Sequence, residues 1–395
     1  MQDINELPYL DYNDPAYRRD PFVWLAERAA ETKVARSDRG VEFLDYDLCR
    51  GFLLERSLGT DHGNLVEHMG LPEGRALDFK RRMILTQNRG DTRKRLRTAL
   101  TNLIGPAQAE HMRKDFRKVI EDLIDALPKG RVNLKRDFSD LVPAGVYCNW
   151  VARPLSDARF VADSSENVLA IFRRDPSLTP NIVATYDRLF AYARDRIAER
   201  RANMGDDFIS QLIRVQEAGG LSPDELEDFA VMLIEASTDN TSHQISIAVD
   251  RLTQMPEIWT RIAEGNADVD ALIREVMRLW PRSISTSRTA LWDTDYGGVS
   301  LPKGTSVFAS FGAAHRQADK FTHPHSFDPT REARPMHMNF GGGAFGCLGQ
   351  FVASIEVSEA ISALAKRFPT LRPHQVVGDY TAMFQSISEL QVDLP

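Results

Sequence analysis

One cysteine of this chain lies in a segment whose composition is unusual for a turn. The stretch from Asn339 to Gln350 reads NFGGGAFGCLGQ and sets Cys347 among five glycines. Glycine carries no Cβ, so a loop built from it can approach a flat, bulky group closely. A helical pattern begins directly after the cysteine, and a helix N-terminus stabilises a thiolate. Such a loop suits a thiolate that binds a large cofactor, whereas a lone thiol in a glycine-rich turn is the simpler interpretation of the segment alone.

An acid and a base three residues apart form a second candidate constellation. Glu275 and Arg278 lie in the segment ALIREVMRLWP, on one face of a predicted helix. Side chains at this spacing are neighbours on a helix and can form an ion pair. An ion pair on the surface is the simplest interpretation of the spacing alone.

The cysteine segment resembles the haem-binding loop of the cytochromes P450. Its pattern Phe-Gly-x-Gly-x-x-x-Cys-x-Gly is matched by Phe340, Gly341, Gly343, Cys347 and Gly349. In that family the cysteine thiolate is the axial ligand of the haem iron and pushes electron density toward O–O cleavage. The resemblance implies haem b (iron protoporphyrin IX) as cofactor, with Cys347 as the metal ligand.

Further segments extend this resemblance over nearly the whole chain. Glu275 and Arg278 match the family's structural Glu-x-x-Arg pair, which takes a third partner from the meander that follows, here Arg331 or Arg334. The resemblance implies that this cluster holds the fold on the thiolate side of the haem.

The two haem propionates require cationic hydrogen-bond donors, and arginine serves best because its planar fork matches a carboxylate. Aligning the predicted C-helix on Pro106 places Arg93 and Arg97 at two of the family's contacts, and Arg288 matches a third. The fourth contact, a His or Arg two residues before the cysteine, is Phe345 here. This departure predicts one propionate that is held less well, or by a different donor.

The long helix that should carry the oxygen chemistry departs from the family at one position. The family's Ala-Gly-x-Asp-Thr-Thr corresponds to residues 236–241, where Asp239 and Thr241 match and Asn240 replaces a threonine. In the family that hydroxyl and the neighbouring acid deliver protons to dioxygen. Three interpretations stay open. Asn240 positions a water or a substrate oxygen, while Asp239 or the substrate completes the relay; the register is shifted and Thr241 acts; or the protein uses peroxide or barely turns over.

Substrate contacts are predicted by position in the family. The residues expected to line the distal pocket are Met232, Glu235, Ala236, Ile284, Met383 and Phe384. Each of them can also be plain core. Glu235 stands out because an unpaired carboxylate is costly to bury. If it faces inward, the substrate is polar or cationic, or Arg282 neutralises the carboxylate; a solvated or structurally paired glutamate is the alternative.

Helical patterns dominate the chain from about Pro21 to the 270s. Ser222 and Glu225 form a capping box, Pro223 suits the first helical position, and Pro256 limits the far end. These signals predict one helix of roughly thirty residues, far longer than the average of ~11–12.

After Pro281 the helical pattern gives way to short β-prone segments, which predict a minor sheet. Residues 316–338 predict an ordered meander without regular structure, and a final helix follows the cysteine. We expect one domain over 1–395, mostly α with a minor β portion (α+β). The resemblance implies the cytochrome P450 fold, with the long central helix over the haem.

Composition bounds the class of protein. The chain has 395 residues, 43% of them hydrophobic, with a net charge of -7 and no basic tail. We therefore expect a globular protein without a nucleic-acid or membrane partner, located in the cytoplasm. The three cysteines Cys49, Cys148 and Cys347 are odd in number and far apart, which argues against a disulfide framework and predicts that two lie in the core.

The resemblance implies a haem-thiolate monooxygenase, an iron-containing oxidoreductase. It would use O2 and two externally supplied electrons to hydroxylate, or oxidatively O-demethylate, a small organic substrate. The chain has no glycine-rich dinucleotide loop after a strand, so we expect a ferredoxin or flavodoxin with an NAD(P)H-dependent reductase. This partner would dock on a basic face that includes Lys94 and Arg95. We expect a monomer. The alternatives are a peroxide-driven oxygenase and a haem-binding sensor or carrier with little turnover.

Overall fold

The computed structural model describes residues 2–60, 63–82, 90–332 and 334–395. The chain divides into two compact units. The first unit comprises residues 1–61, 246–347 and 372–390, and the second comprises 62–245, 348–371 and 391–395. The expectation of one domain over 1–395 concerns the relation between these units and stays a prediction.

Helices account for most of the described residues. In chain order they are α1 (Pro15–Arg19), α2 (Pro21–Glu31), α3 (Tyr46–Phe52), α4 (Gly63–Met69), α5 (Arg75–Arg82), α6 (Gly90–Ile104), α7 (Pro106–Asp125), α8 (Leu141–Trp150), α9 (Ala158–Leu169), α10 (Thr179–Ala202), α11 (Phe208–Glu217), α12 (Pro223–Thr253), α13 (Pro256–Ala263), α14 (Val269–Leu279), α15 (Phe311–Ala314) and α16 (Gln350–Arg367).

The strands are short. They are β1 (Val34–Ser37), β2 (Gly40–Phe43), β3 (Leu58–Gly59), β4 (Gly130–Asn133), β5 (Ser285–Ala290), β6 (Thr294–Tyr296), β7 (Val299–Leu301), β8 (Ser306–Ser310), β9 (Pro373–Tyr380) and β10 (Gln385–Leu394).

The prediction of one very long helix is confirmed, because α12 contains 31 residues. Its start is fixed by the capping box: the Glu225 amide donates to Ser222 Oγ at 3.1 Å, and the Ser222 amide donates to Glu225 Oε2 at 2.8 Å. These reciprocal bonds satisfy two of the donors that a helix N-terminus leaves free.

The main sheet of the first unit has the strand order β1-β2-β8-β5-β3. Strands β2 and β8 run parallel, and the other neighbours are antiparallel. The minor sheet predicted after Pro281 is therefore present. The part from Pro21 to the 270s is mostly helical as predicted, and the short strands β1 and β2, which the sequence pattern did not indicate, gain their hydrogen bonds from this sheet.

Two smaller β elements complete the fold. Strands β6 and β7 form an antiparallel pair in the first unit. Strand β10 lies beside β9 in the first unit, and its last residues, 391–394, pair antiparallel with β4 in the second.

Each unit has its own buried apolar core. In the second unit, helices α4 to α6 and α8 to α12 contribute to a continuous cluster that includes Phe79, Tyr186 and Phe229. Helices α7 and α16 are joined there by Glu359, which accepts hydrogen bonds from Arg113 at 2.9 Å and from Arg117 at 2.8 Å. In the first unit, two clusters pack the N-terminal helices and the main sheet.

The meander and the final helix agree with their predictions. Residues 316–332 and 334–338 contain turns and bends but no helix or strand, and α16 begins three residues after Cys347. Within the residues that the structure describes, no helix is both long and apolar enough to cross a membrane.

Candidate active site

The three cysteines differ in exposure, and only one thiol is accessible. Cys49 and Cys148 are buried, whereas Cys347 is exposed. Burial raises the pKa of the Cys49 thiol and raises that of Cys148 to about 12, so both stay protonated and serve as core residues. Cys347 is thus the cysteine that a ligand can reach.

The loop before Cys347 depends on glycine at two positions. Gly341 and Gly343 have φ values of +67° and +59°, a backbone conformation that residues other than glycine rarely adopt. A Cβ on Gly343 would lie 2.7 Å from the carbonyl oxygen of Leu53. The Cys347 amide donates to the Phe340 carbonyl at 2.8 Å, and this bond closes the loop.

Two residues of α14, in the first unit, belong to a buried cluster of ion pairs. Glu275 and Arg278 are 4% and 3% exposed, so the pair is not on the surface. Arg278 donates to Glu275 twice, from Nη2 to Oε1 at 2.7 Å and from Nε to Oε2 at 2.8 Å. Arg331 Nε donates to the same Oε1 at 3.0 Å, which identifies the third partner as Arg331 rather than Arg334.

The meander is attached to the same cluster through its backbone. The Asp328 amide donates to Glu275 Oε1 at 3.0 Å, and Arg278 Nη1 donates to the carbonyls of His315 and Pro324 at 2.8 and 2.7 Å. A segment without regular hydrogen bonds of its own is thereby held by two side chains of one helix.

Arg288 on β5 is a buried cation. It is 8% exposed, and its Nη1 donates to the Ser287 carbonyl at 2.8 Å. Its guanidinium lies 4.7 Å from the ring centroid of Phe345, which stands where the family has a histidine or arginine. Among the described residues no carboxylate pairs with Arg288, and burial lowers its pKa to about 10.

Helix α6 carries the other two predicted propionate donors. Arg93 is buried and Arg97 is half-buried, four residues apart on one face of the helix. Lys94 and Arg95 are exposed. The Arg95 guanidinium contacts Glu225 at 2.7 Å, which partly neutralises its charge.

Helix α12 has an exposed stripe in the middle of an otherwise buried length. Met232 is half-buried, and Ala236 and Asn240, one and two turns further on, are exposed. Asp239, beside Asn240, pairs with the His243 ring across 3.4 Å from Oδ1 to Nε2.

The other neighbour of Asn240 faces the interior of the second unit. Thr241 is buried, and its hydroxyl forms a side-chain hydrogen bond with Glu356 of α16. Burial raises the pKa of the Glu356 carboxyl to about 8, an effect that the Thr241 hydrogen bond only partly offsets. Glu356 is therefore mostly protonated at neutral pH.

Glu235 is structurally paired. The ammonium of Lys80, on α5, contacts Glu235 Oε1, and the Tyr186 hydroxyl, on α10, donates to Oε2 at 2.9 Å. Arg282, the neutralising cation considered from the sequence, instead donates to the Gln385 carbonyl at 2.8 Å. The cation beside Glu235 is Lys80.

The remaining predicted pocket residues lie in the first unit. Ile284 is 1% exposed and belongs to the core cluster of the N-terminal helices, and its place in the pocket stays a prediction. Met383 and Phe384 are half-buried. The Met383 carbonyl accepts from the Ile284 amide at 2.8 Å, and the Arg282 guanidinium lies 4.6 Å from the Phe384 ring centroid.

Comparison with known proteins agrees with these features. Residues 269–383, which include α14 and the cysteine loop, match the family model described as Cytochrome P450. A luteothin monooxygenase of Streptomyces thioluteus is 30% identical over 380 residues, covering 95% of this chain and 92% of the relative. The chain belongs to the cytochrome P450 family. A plant-inducible P450 of Rhizobium radiobacter is also 30% identical, over 82% of this chain and 79% of its own length.

Solved structures agree in fold. The crystal structure of CalO2 matches with a TM-score of 0.87, at 21% identity, over 98% of this chain and 99% of that one. Epothilone D-bound cytochrome P450epoK matches with the same TM-score at 22% identity. The predicted mostly α P450 fold is confirmed, and the protein is a P450 monooxygenase.

Haem with an axial cysteine thiolate is the cofactor of this family, and the residues of this P450 fit it. Cys347 presents an exposed thiol, and the loop that carries it packs against Leu53, where a Cβ on Gly343 would lie 2.7 Å from the Leu53 carbonyl oxygen. Arg288 is a buried cation without a carboxylate partner among the described residues, as a donor to an anionic propionate should be.

Sequence reasoning missed Lys80, Tyr186, His243 and Glu356. Only Glu356 left a signal, because it lies between Ile355 and Val357 in a helix that is otherwise rich in apolar residues. The partners of Glu235 are 155 and 49 residues away along the chain. No local pattern connects residues at such separations.

Proposed function

We propose that this P450 hydroxylates, or oxidatively O-demethylates, a small organic substrate with O2 and two electrons supplied from outside. Haem b, held by the Cys347 thiolate, would supply the oxygen chemistry. The observation that carries the proposal is the exposed Cys347 thiol at the end of its glycine-rich loop. The other two cysteines are buried and cannot bind a haem iron. The family's assignment of the axial ligand to a cysteine supports the same choice.

The arginines would hold the propionates. Arg288 is the strongest candidate, because its guanidinium is desolvated and Phe345 fixes its orientation by a cation–π contact of 4.7 Å. Arg93 and Arg97 share one face of α6 and would serve the same purpose. In this proposal Phe345 replaces a direct propionate contact by orienting Arg288.

Proton delivery would involve the residues on either side of Asn240. The Glu356 carboxyl holds a proton at neutral pH, since its pKa is raised to about 8, and the Thr241 hydroxyl is its hydrogen-bond partner. Asp239 and His243 form the more exposed alternative. An amide cannot pass on a proton as a hydroxyl does, so Asn240 would position a water or a substrate oxygen.

Electrons would come from a ferredoxin or flavodoxin and its NAD(P)H-dependent reductase, with the protein acting as a monomer in the cytoplasm. Lys94 is exposed on α6 and would contribute to a basic docking face. Arg95 would contribute less, because Glu225 accepts hydrogen bonds from it at 2.7 and 2.8 Å.

A two-stage experiment tests this function. The ferric protein is first titrated with a metabolite library, and a low-spin to high-spin shift identifies a ligand. NADH consumption and product are then measured with a surrogate ferredoxin and reductase. Product formed in proportion to NADH supports the proposal. NADH oxidation that yields only peroxide would support a sensor or carrier, and turnover with hydrogen peroxide and no partner would support a peroxide-driven oxygenase.

A further inference from the structure

A charged triad lies inside the second unit, between three helices. Lys80 of α5 is 2% exposed and Tyr186 of α10 is fully buried. They hold the two carboxylate oxygens of Glu235 on α12: the Lys80 ammonium contacts Oε1, and the Tyr186 hydroxyl donates to Oε2 at 2.9 Å. Burial and the Glu235 charge raise the pKa of Tyr186 well above its usual value, so the phenol remains a donor.

A gain in folding stability does not explain why this ion pair is buried. Removing two charges from water costs about as much as their attraction returns, and well-packed apolar residues of the same shape are often equally stable or better. The aromatic rings of Phe79 and Tyr186 lie 5.8 and 5.4 Å from the Lys80 ammonium, so the charge is set among apolar groups. Stability alone therefore does not account for the triad.

The Glu235 side chain is the more exposed member of the pair. The Glu235 side chain retains 11% exposure against 3% for Lys80. The next residue, Ala236, is exposed, and Met232, one turn before, is half-buried, whereas Val231 and Ile234 are fully buried. Glu235 thus lies at the edge of the exposed stripe of α12, and a partly accessible side chain adjoins any molecule that lies along this stripe.

The carboxylate also has unused acceptor capacity. Its two oxygens offer about four lone-pair positions, of which Lys80 and Tyr186 occupy one each. The Lys80 and Glu235 charges sum to zero, so the pair attracts neither a cation nor an anion strongly. The group that suits it is a neutral donor, a hydroxyl or an amide N–H.

We propose that Glu235, oriented by Lys80 and Tyr186, accepts a hydrogen bond from a neutral hydroxyl or amide N–H group of the substrate. The substrate would then be a largely apolar molecule with one uncharged polar donor. This inference rests on the proposed function, since it treats the exposed stripe of α12 as a substrate surface. Glu235 would be a specificity-determining residue, and Lys80 and Tyr186 would be positioning residues.

The test uses four probes that share one carbon chain: decane, decan-1-ol, decanoate and decyltrimethylammonium, whose nitrogen cannot ligate iron. Dissociation constants are measured for the haem-loaded protein by spin-state titration and by calorimetry. We expect the wild type to bind decanol about tenfold more tightly than decane, as one hydrogen bond to a charged group implies. Both charged probes should bind more weakly than decanol.

Two single variants should change which of the four probes binds most tightly. Glu235→Gln leaves the Lys80 ammonium unpaired, so decanoate becomes the preferred probe. Lys80→Met leaves the Glu235 carboxylate unpaired, so decyltrimethylammonium becomes the preferred probe. The double variant carries neither charge and should fold even if a single variant does not; we expect it to lose both the charge preferences and most of the decanol advantage.

The thiolate-type ferrous–CO spectrum is recorded for every protein, so that loss of the haem-thiolate function is distinguished from failure of this inference. The same order of probes in the wild type and in the variants, or no binding of decanol to the wild type, would overturn the proposal.

Discussion

Glu356 makes the stability of this protein depend on pH in an unusual direction. Burial raises the pKa of its carboxyl from 4.5 to about 8. Below pH 4.5 the group is protonated in both the folded and the unfolded chain, and its contribution to stability is fully present. As pH rises toward 8 the unfolded chain loses this proton first, so stability is lost. At about 1.4 kcal/mol per pH unit, the whole interval corresponds to about 5 kcal/mol.

The perturbation is Glu356→Gln, which keeps the shape of the side chain and its hydrogen bond to Thr241 but cannot ionise. The variant should gain stability relative to the wild type by about 1.4 kcal/mol for each unit between about pH 5 and 8. The free energy of unfolding of the haem-loaded proteins is measured in urea, by circular dichroism, at constant ionic strength. Taking the difference between the two proteins removes the contribution of the other titrating groups.

Glu359, three residues further along α16, is a control of opposite sign. Although burial opposes it, the hydrogen bonds from Arg117 and Arg113 lower the pKa of Glu359. Glu359→Gln should therefore lose a stability that is present at neutral pH and that the wild type loses as the pH falls. Parallel pH curves for the wild type and Glu356→Gln would refute the assignment of a protonated carboxyl at this position.

Three further predictions concern the residues of the site. Glu275→Ala leaves Arg278 and Arg331 buried without their carboxylate and should cost about 3–5 kcal/mol of unfolding free energy; a loss below about 1 kcal/mol in urea unfolding would contradict the role of the cluster. Arg288→Ala should weaken haem retention in a transfer assay to apomyoglobin more than Arg288→Lys does, and equal transfer rates would argue against a charge contact. Asn240→Thr should leave haem binding intact and change the ratio of product to NADH consumed; an unchanged ratio and rate would exclude Asn240 from the proton path.

Features that depend only on neighbouring residues along the chain could be predicted, and they include the long helix α12. The capping box at Ser222 and the spacing of apolar residues act within one segment, so they define its start and its length without tertiary information. The cysteine loop is similar, because the glycines at 341 and 343 are required by backbone conformations within the loop itself.

Features that arise from packing could not be predicted. Strands β1 and β2 have four residues each, too few for a periodic signal, and β2 completes its hydrogen bonding with a strand from the 300s. The pairing of Glu235 with Lys80, and the contact of Arg288 with Phe345, depend on which segments meet in space.

The central claim is that Cys347 is the axial ligand of a haem. The most direct measurement is the ferrous–CO spectrum of the wild type, of Cys347→Ser, and of Cys148→Ala as a matched control at a buried thiol. The wild type and Cys148→Ala should both show the long-wavelength Soret band of a thiolate ligand, and Cys347→Ser should not. Persistence of that band in Cys347→Ser would contradict the account.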